Sequence, residues 1–423
     1  MKKIQPSEKI SNEILQLLEN GCSSSEDLLS RLVILGAQKL IQEALEQEVA
    51  DKLGRSYYER KPELKTGYRN GYELQKLKTA EGIIPVLVPQ LRDTDRPFQS
   101  AVLSHLKHRS AELERLAIEM YVRGLSTRDI EDTFTDDSGH CLISKDGVSQ
   151  LTDTLSDEYE RFCERDLSNY DVVYVFVDAV YERLRRSFSV KEAILCAWAI
   201  LSTGEKVLLH LALGNKESYE SWTDFFRHMI ARGLRMPLLV ISDGAPGLIK
   251  AIDECFPKSK RQRCLVHKLR NIANKLPQPG IDELLPKIKN VYYQSDKEVA
   301  RIAAAKVIEA YAATYPTAIK CFQDDLENCL HYMDFPNGHH RHIRSTNLLE
   351  RCFLEQRRRT KVIPRFLDEK SCLKLVYATL IRVSEKWRRV KMKPVDFTLL
   401  KNIRKLYGFE NDEVNFISMK IAA

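Results

Sequence analysis

Two aspartates each close a hydrophobic run. Residues 172–177 (VVYVFV) lead into Asp178, and residues 238–242 (LLVIS) lead into Asp243, with Gly244 behind it. Runs of this composition predict buried strands, so each carboxylate is expected where a strand reaches the edge of a sheet. Positions 178 and 243 are 65 residues apart, which allows neighbouring strands of one sheet. Such a pair can converge on a divalent cation. Mg²⁺ is held by only one or two carboxylates and takes its other ligands from water and phosphate oxygens. Two ions about 4 Å apart can stabilise both the attacking and the leaving oxygen of a phosphodiester displacement. Taken singly, either aspartate reads equally well as a strand-end cap; the pair is what points to a site.

The rest of the chain suits a polyphosphate partner. The formal charge is +7 over 423 residues, and it is clustered. Residues 256–281 hold seven Lys or Arg and no acid, among them Arg263 and Arg270. A second cluster runs through residues 382–405, and a third comprises Arg357, Arg358, Arg359, Lys361 and Arg365. Clustered cation is the electrostatic footprint of nucleic acid; a solvated helix face is the plainer reading of any one cluster. No apolar run approaches the roughly 18 residues of a membrane span, and the N-terminus lacks the apolar stretch of a signal peptide, so a cytoplasmic protein is expected. The ten cysteines form no Cys-x-x-Cys pair and read as reduced thiols.

The elements that must position the acids follow in order. Residues 1–53 predict amphipathic helices, with Ser24 or Ser25 as a cap. Residues 54–93 interleave tyrosine, arginine and glycine, including Tyr68 and Arg69, ahead of a short strand at 83–88. That mixture suits phosphate contact and base stacking, or a surface hairpin with tyrosines packed at its base. Residues 110–163 predict three helices: one over 111–123, one capped by Ser126 with Asp129 three residues on, and one starting near Ser144. This is a helix-turn-helix pattern, in which Lys145, Ser149 and Gln150 would face the major groove. Residues 171–256 predict strand, strand, strand, helix, strand, helix. Residues 261–340 predict helices, with loops at 277–280 and 336–342. Thr346 or Asn347 can cap a helix that carries Glu350 in its first turn. Glu355 sits about 140° further round that helix, so only one of the two glutamates can face the aspartates. Glu182 and Asp171 read as surface acids without a matching partner. A further helix is expected over 368–388, and a short, loosely docked one after Pro394.

Cys264-x-x-His267 invites a zinc reading, but no second pair stands at a suitable spacing, and the loop with His339, His340 and His342 reads as merely polar. Trp198 and Trp222 fall on apolar faces and read as core.

Four separated motifs carry a resemblance that covers nearly the whole chain. They are the strand ending in Asp178, residues 240–244 (VISDG), Cys264 with His267, and residues 345–350 (STNLLE) followed by Arg357, Arg358 and Arg359. With residues 67–71 (GYRNG), the chain resembles the bacterial insertion-sequence transposases of the Mutator-like group. The resemblance implies an α/β ribonuclease-H-like catalytic core with a large all-helical insertion, preceded by a helical N-terminal DNA-binding region. It implies a metal-binding triad of Asp178, Asp243 and Glu350, two Mg²⁺ or Mn²⁺ ions, and cleavage and strand transfer at terminal inverted repeats of double-stranded DNA by a nucleoid-associated homodimer. It also sets Cys264, His267 and Asn347 beside the triad as auxiliary residues. The implied division is 1–100 and 101–165 for DNA binding, 166–260 and 343–392 for the core, 261–342 for the insertion, and 393–423 as tail. A nuclease or resolvase that cuts without joining, or a retired transposase acting as a DNA-binding regulator, are the alternatives.

Overall fold

A computed structural model describes residues 4–21, 27–59, 67–94, 98–106, 108–136, 139–184, 191–214, 216–361, 363, 366 and 368–409. The chain divides into two compact units, Met1–Thr152 and Asp153–Ala423.

In the first unit, helices α1 (Pro6–Asn20) and α2 (Leu28–Leu53) precede a hairpin of β1 (Tyr68–Thr79) and β2 (Gly82–Arg92). Asp27 caps α2 by accepting from the backbone of Leu29 and Ser30; the serines expected in that role, 24 and 25, lie outside the described residues. Leu45 of α2 packs with Leu77, Ile84 and Val86 of the hairpin. The buried Gln42 amide donates to Leu87 O at 2.8 Å and accepts from Leu87 N at 3.0 Å, so a helix side chain satisfies backbone groups of the sheet edge. After the short α3 (Ala101–His105) come α4 (Ala111–Val122), α5 (Thr127–Thr133) and α6 (Lys145–Glu164), the last running past the unit boundary. Ser126 and Asp129 form the predicted capping box. Ala117, Ile130, Ile143 and Val148 make the core of this helical trio.

The second unit is built on a five-stranded sheet of order β5-β4-β3-β6-β7. Strands β3 (Val172–Arg183), β4 (Lys191–Leu201) and β5 (Lys206–Gly214) form an antiparallel meander. β6 (Leu239–Ser242) and β7 (Lys260–Arg263) add parallel to β3. Val175, Val177 and Val240 face helices α7 (Tyr219–Ala231) and α8 (Pro246–Cys255), where Trp222, Phe226 and Ile252 are buried. Side chains alternate across a strand, so Tyr174 and Phe176 turn to the other face, where Tyr174 meets Phe335 and His339. Trp198 stacks there on Trp387 at 4.4 Å.

β7 was not foreseen. Its sequence, KRQR, has no strand signature, and only Gln262 is buried; charged residues on an edge strand discourage pairing with other chains. Helices α9 (Leu265–Ala273), α10 (Gln278–Tyr292), α11 (Lys297–Tyr311), α12 (Pro316–Gln323), α13 (Leu326–Leu330) and α14 (Asn337–Ile343) follow, then α15 (Asn347–Thr360), α16 (Glu369–Ser384) and α17 (Pro394–Leu406).

Both expected loops are helix starts. Pro277 precedes α10, whose first turn accepts Pro279 because that position needs no amide donor. Residues 337–343 are α14, which buries His339 against the Tyr174 hydroxyl at 2.8 Å. α16 ends at Ser384, earlier than expected, and Trp387 beyond it leaves the helical path to stack on Trp198. α17 is firmly docked: Asp396 is buried 3.5 Å from His339, and Arg404 pairs with Asp171 at 2.7 Å.

Candidate active site

Asp178 and Asp243 reach the same level of the sheet. Phe176 and Ile241 are the last bridged pair of β3 and β6, and each aspartate stands two residues further on. Adjacent parallel strands align their side chains, so both carboxylates fall on the Tyr174 face. Helix α15 packs over that face against β3. Directly opposite Asp178 on β4 is Cys196, which interacts with Cys352 of α15. The sheet supplies two acids, and the helix above them carries Glu350.

Local turns fix each acid. Asp178 Oδ1 accepts from Ala179 N at 2.9 Å. Asp243 Oδ1 accepts from Ala245 N at 3.0 Å, which closes the turn between β6 and α8. Gly244 in that turn has φ +84°, and a Cβ there would fall 1.0 Å from Arg263 Nη1. The glycine is therefore required twice, by backbone conformation and by the guanidinium packed against it.

The electrostatics are those of acids crowded together. Burial pushes the Asp178 carboxyl up to about 7, and the charges of Asp243 and Glu217 add to the rise while His267 opposes it. Burial and then Asp243 likewise raise Glu217. Burial and the neighbouring Glu217 push the Tyr181 phenol up to about 12. Neither Glu217 nor Tyr181 belongs to a sequence motif. The one signal for Glu217 was its place just before Ser218, the cap of α7.

Glu350 Oε1 lies 3.1 Å from His267 Nε2. The Cys264 sulfur, then the charges of Cys264, Asp178 and Glu350, raise the imidazole to about 9 against the opposing effect of burial. These neighbours favour the charged imidazolium. Its Nδ1 has no aligned hydrogen-bond partner, so the contact with the sulfur is close but poorly directed. Burial resists ionisation of Cys264, yet His267 and Thr346 together bring the thiol below its usual value. Cys264 also ties the elements together. Its amide donates to Ser242 O at 2.8 Å, beside Asp243, and its sulfur accepts from Thr346 N and Oγ1, both at 3.3 Å. Thr346 is the N-cap of α15, but its hydroxyl serves the cysteine and leaves the helix end uncapped by a side chain. Asn347, next in line, is exposed at the first position of α15.

Among the described residues, no three His, Cys, Asp or Glu side chains close on one point that could hold a metal ion. His267 holds Glu350, and the charge of Asp243 is felt at Asp178. The donor set still suits a hard divalent cation, because two carboxylates suffice for Mg²⁺ and the mutual repulsion at Asp178 is what such a charge would relieve.

The other acids are occupied. Glu355 is bound by Arg358 and Arg359 on its own helix. Glu182 and Asp171, set aside from sequence as surface acids without a matching partner for a site, serve the packing. Glu182 accepts from Thr360 at 2.8 Å and from Gln356, fastening β3 to α15, and Asp171 holds Arg404.

The expected DNA contacts are unevenly presented. Lys145, Ser149 and Gln150 are all exposed at the start of α6. Arg270, Arg357, Arg358 and Lys361 are exposed, though Glu355 partly neutralises Arg358 and Arg359. Arg69 lies over the Tyr57 ring and donates to Arg55 O at 3.0 Å, while Arg55 and Arg92 flank Tyr68, so these cations are engaged by the neighbouring tyrosines. Arg263 is half-buried: its Nε and Nη1 are enclosed beneath the Asp243 turn.

No described helix is long and apolar enough to cross a membrane. Comparison with known proteins agrees with the motif resemblance. The chain is 34% identical over 349 residues to the transposase of insertion sequence ISRM5 from Rhizobium meliloti strain 1021, spanning 82% of this chain and 86% of that protein. It is 30% identical over 390 residues to the transposase of IS256 in transposon Tn4001 from Staphylococcus aureus, spanning 92% and 97%. The transposase of IS6120 from Mycolicibacterium smegmatis is 34% identical over 64% of this chain and 84% of its own length. The family described as "Transposase, Mutator family" matches residues 7–390, and the chain belongs to that family.

Proposed function

We propose that this transposase is an Asp-Asp-Glu enzyme that cuts and joins phosphodiester bonds at the ends of an insertion sequence. Asp178, Asp243 and Glu350 would hold Mg²⁺ or Mn²⁺. The observation that carries the reading is the placing of two aspartates at one level of adjacent parallel strands, beneath the helix that bears Glu350. The strand order, with three antiparallel strands followed by two parallel ones, supports a ribonuclease-H-like core, and the helices between β7 and α15 then form its insertion.

Metal ions held by Asp178, Asp243 and Glu350 would supply Lewis acidity for phosphodiester chemistry. The chain's own residues do the rest. His267, whose charged form its neighbours favour, holds Glu350 and lies within electrostatic reach of Asp178, so it can offset the acids before DNA arrives. Cys264 fixes the start of α15 to the end of β6, which sets the height of Glu350 above the aspartates. The exposed start of α6 offers Lys145, Ser149 and Gln150 to the inverted repeat, and two ends call for a homodimer. Incubation of labelled end DNA with Mg²⁺ or Mn²⁺ tests the reading. Nicked ends and joined products are expected, and hydrolysis alone would point to a nuclease.

A further inference from the structure

A cleft of about 170 Å³ opens at the start of α15. Its lining includes Ile200 of β4, Lys206 of β5, Arg341 and His342 of α14, and Asn347 and Arg351 of α15. No acid lines it. Lys206 Nζ donates to Arg388 O at 2.9 Å, and Arg341 Nε donates to His342 Nε2 at 3.0 Å, so neither contact brings in a countercharge. Burial and then Arg341 hold Lys206 below the usual lysine range. Burial, then Lys206 and Arg341, push His342 down to about 4. Such repulsion among cations is costly unless an anion shares the site. The uncapped N-terminus of α15 adds the positive end of a fourteen-residue helix.

The cleft is removed from the aspartates. Ile200 stands opposite Tyr174, four residues before Asp178, or roughly 13 Å along β3 at about 3.3 Å per residue. An anion here is therefore a different phosphate from the one being cut.

We propose that this cleft is a phosphate subsite, which grips a backbone phosphate of the bound DNA strand a few nucleotides from the scissile bond. The site rests on the reading of Asp178, Asp243 and Glu350 as the cutting centre, since that reading fixes where the scissile bond lies. The chemistry needed is one phosphodiester oxygen pair set among Lys206, Arg341 and Arg351, with no sequence reading. Arg351 directly follows Glu350, so a phosphate held here would also steady the helix that carries the glutamate.

The test uses the full-length protein with fluorescent end duplex in EDTA, so that binding is read without cleavage. For R341A and R351A, the slope of log affinity against log salt is expected to shrink by about 0.9 for one lost phosphate contact. R341K and R351K should restore it, which a merely structural role would not do. Duplexes carrying a single neutral methylphosphonate, walked along each strand, should reveal one position a few nucleotides from the cut that weakens the wild type and leaves R351A unaffected. An unchanged slope in properly folded alanine variants, checked by circular dichroism and melting, would overturn the proposal. So would loss of inorganic phosphate binding in the variants with no sensitive DNA position, because the cleft would then serve free phosphate. A D178N protein that still cleaves would instead sink the catalytic reading while leaving the slope measurement intact.

Discussion

His267 Nε2 and Glu350 Oε1 meet at 3.1 Å although 83 positions separate them in the chain. The histidine comes from the first turn of α9 and the glutamate from the first turn of α15, and Cys264 binds both elements to the end of β6. Glu350 is thus held by His267 beside the aspartate pair. If it completes the metal site, E350Q should lower end cleavage by at least about a thousandfold while end binding in EDTA stays within about threefold of wild type. H267A, which removes only the support, should cost roughly 10- to 100-fold, the usual range for a residue that orients a ligand. Quantitative nicking assays on labelled ends decide this, and E350Q activity within tenfold of wild type would remove the glutamate from the site.

The crowded acids make a second prediction that needs no DNA. Burial and the charge of Asp243 already penalise the ionised form of Asp178. D178N should therefore melt no lower than the wild type in EDTA, since it removes a repelled charge at nearly constant volume. Mn²⁺ should stabilise the wild type, by about 2.7 kcal/mol at a hundredfold excess over its dissociation constant. D178N and D243N should lose that response. Thermal melts with and without Mn²⁺ measure both effects, and a full Mn²⁺ shift in both variants would place the ion elsewhere.

What the sequence disclosed follows from how each element is stabilised. The strand leading to Asp178 was legible because it is buried on both faces and reads as one unbroken apolar run. The Ser126 cap was legible because capping is local chemistry between residues three apart. β7 was hidden, since a polar edge strand is recruited by its neighbour β6 and not by its own composition. α14 was hidden for a related reason. Its histidines read as a polar loop until Tyr174 and Asp396, far away in the chain, supply partners for His339. Glu217 carried no motif and is brought near Asp243 only by the turn into α7. The motifs named acids; the packing named the residues around them.

Gly244 and Arg263 make a steric prediction. G244A places a methyl where the guanidinium lies and forces a left-handed backbone on a residue with a side chain. The conformational part alone should cost roughly 1–2 kcal/mol. Adding R263A removes the clash but not the backbone strain, so the double variant should recover only part of the loss. Urea unfolding of the two single variants and the double variant measures the coupling. Strict additivity would mean that the two residues do not compete for the same space.

His210 provides the last test, and it concerns pH. The ring is buried in β5, its Nδ1 has no partner, and it stacks on Phe225 and His228 at 4.7 Å each. Burial, then Arg232, His228 and Arg165, push it down to about 2. Glu160, Glu164 and Asp224 stand round the same cleft, with Tyr159 and Cys163, but they do not offset the cations. Because the folded value lies below the unfolded one, near 6.5, the unfolded chain binds the extra proton, and the fold is weakened as pH falls below about 6.5. Between pH 7.5 and pH 5 this one ring should account for roughly 2 kcal/mol of lost stability. H210F keeps the aromatic stack and has nothing to protonate, so its loss over the same interval should be smaller by about that amount. Urea unfolding of both proteins at the two pH values reads the difference directly. Equal losses would mean that His210 takes up its proton in the folded state.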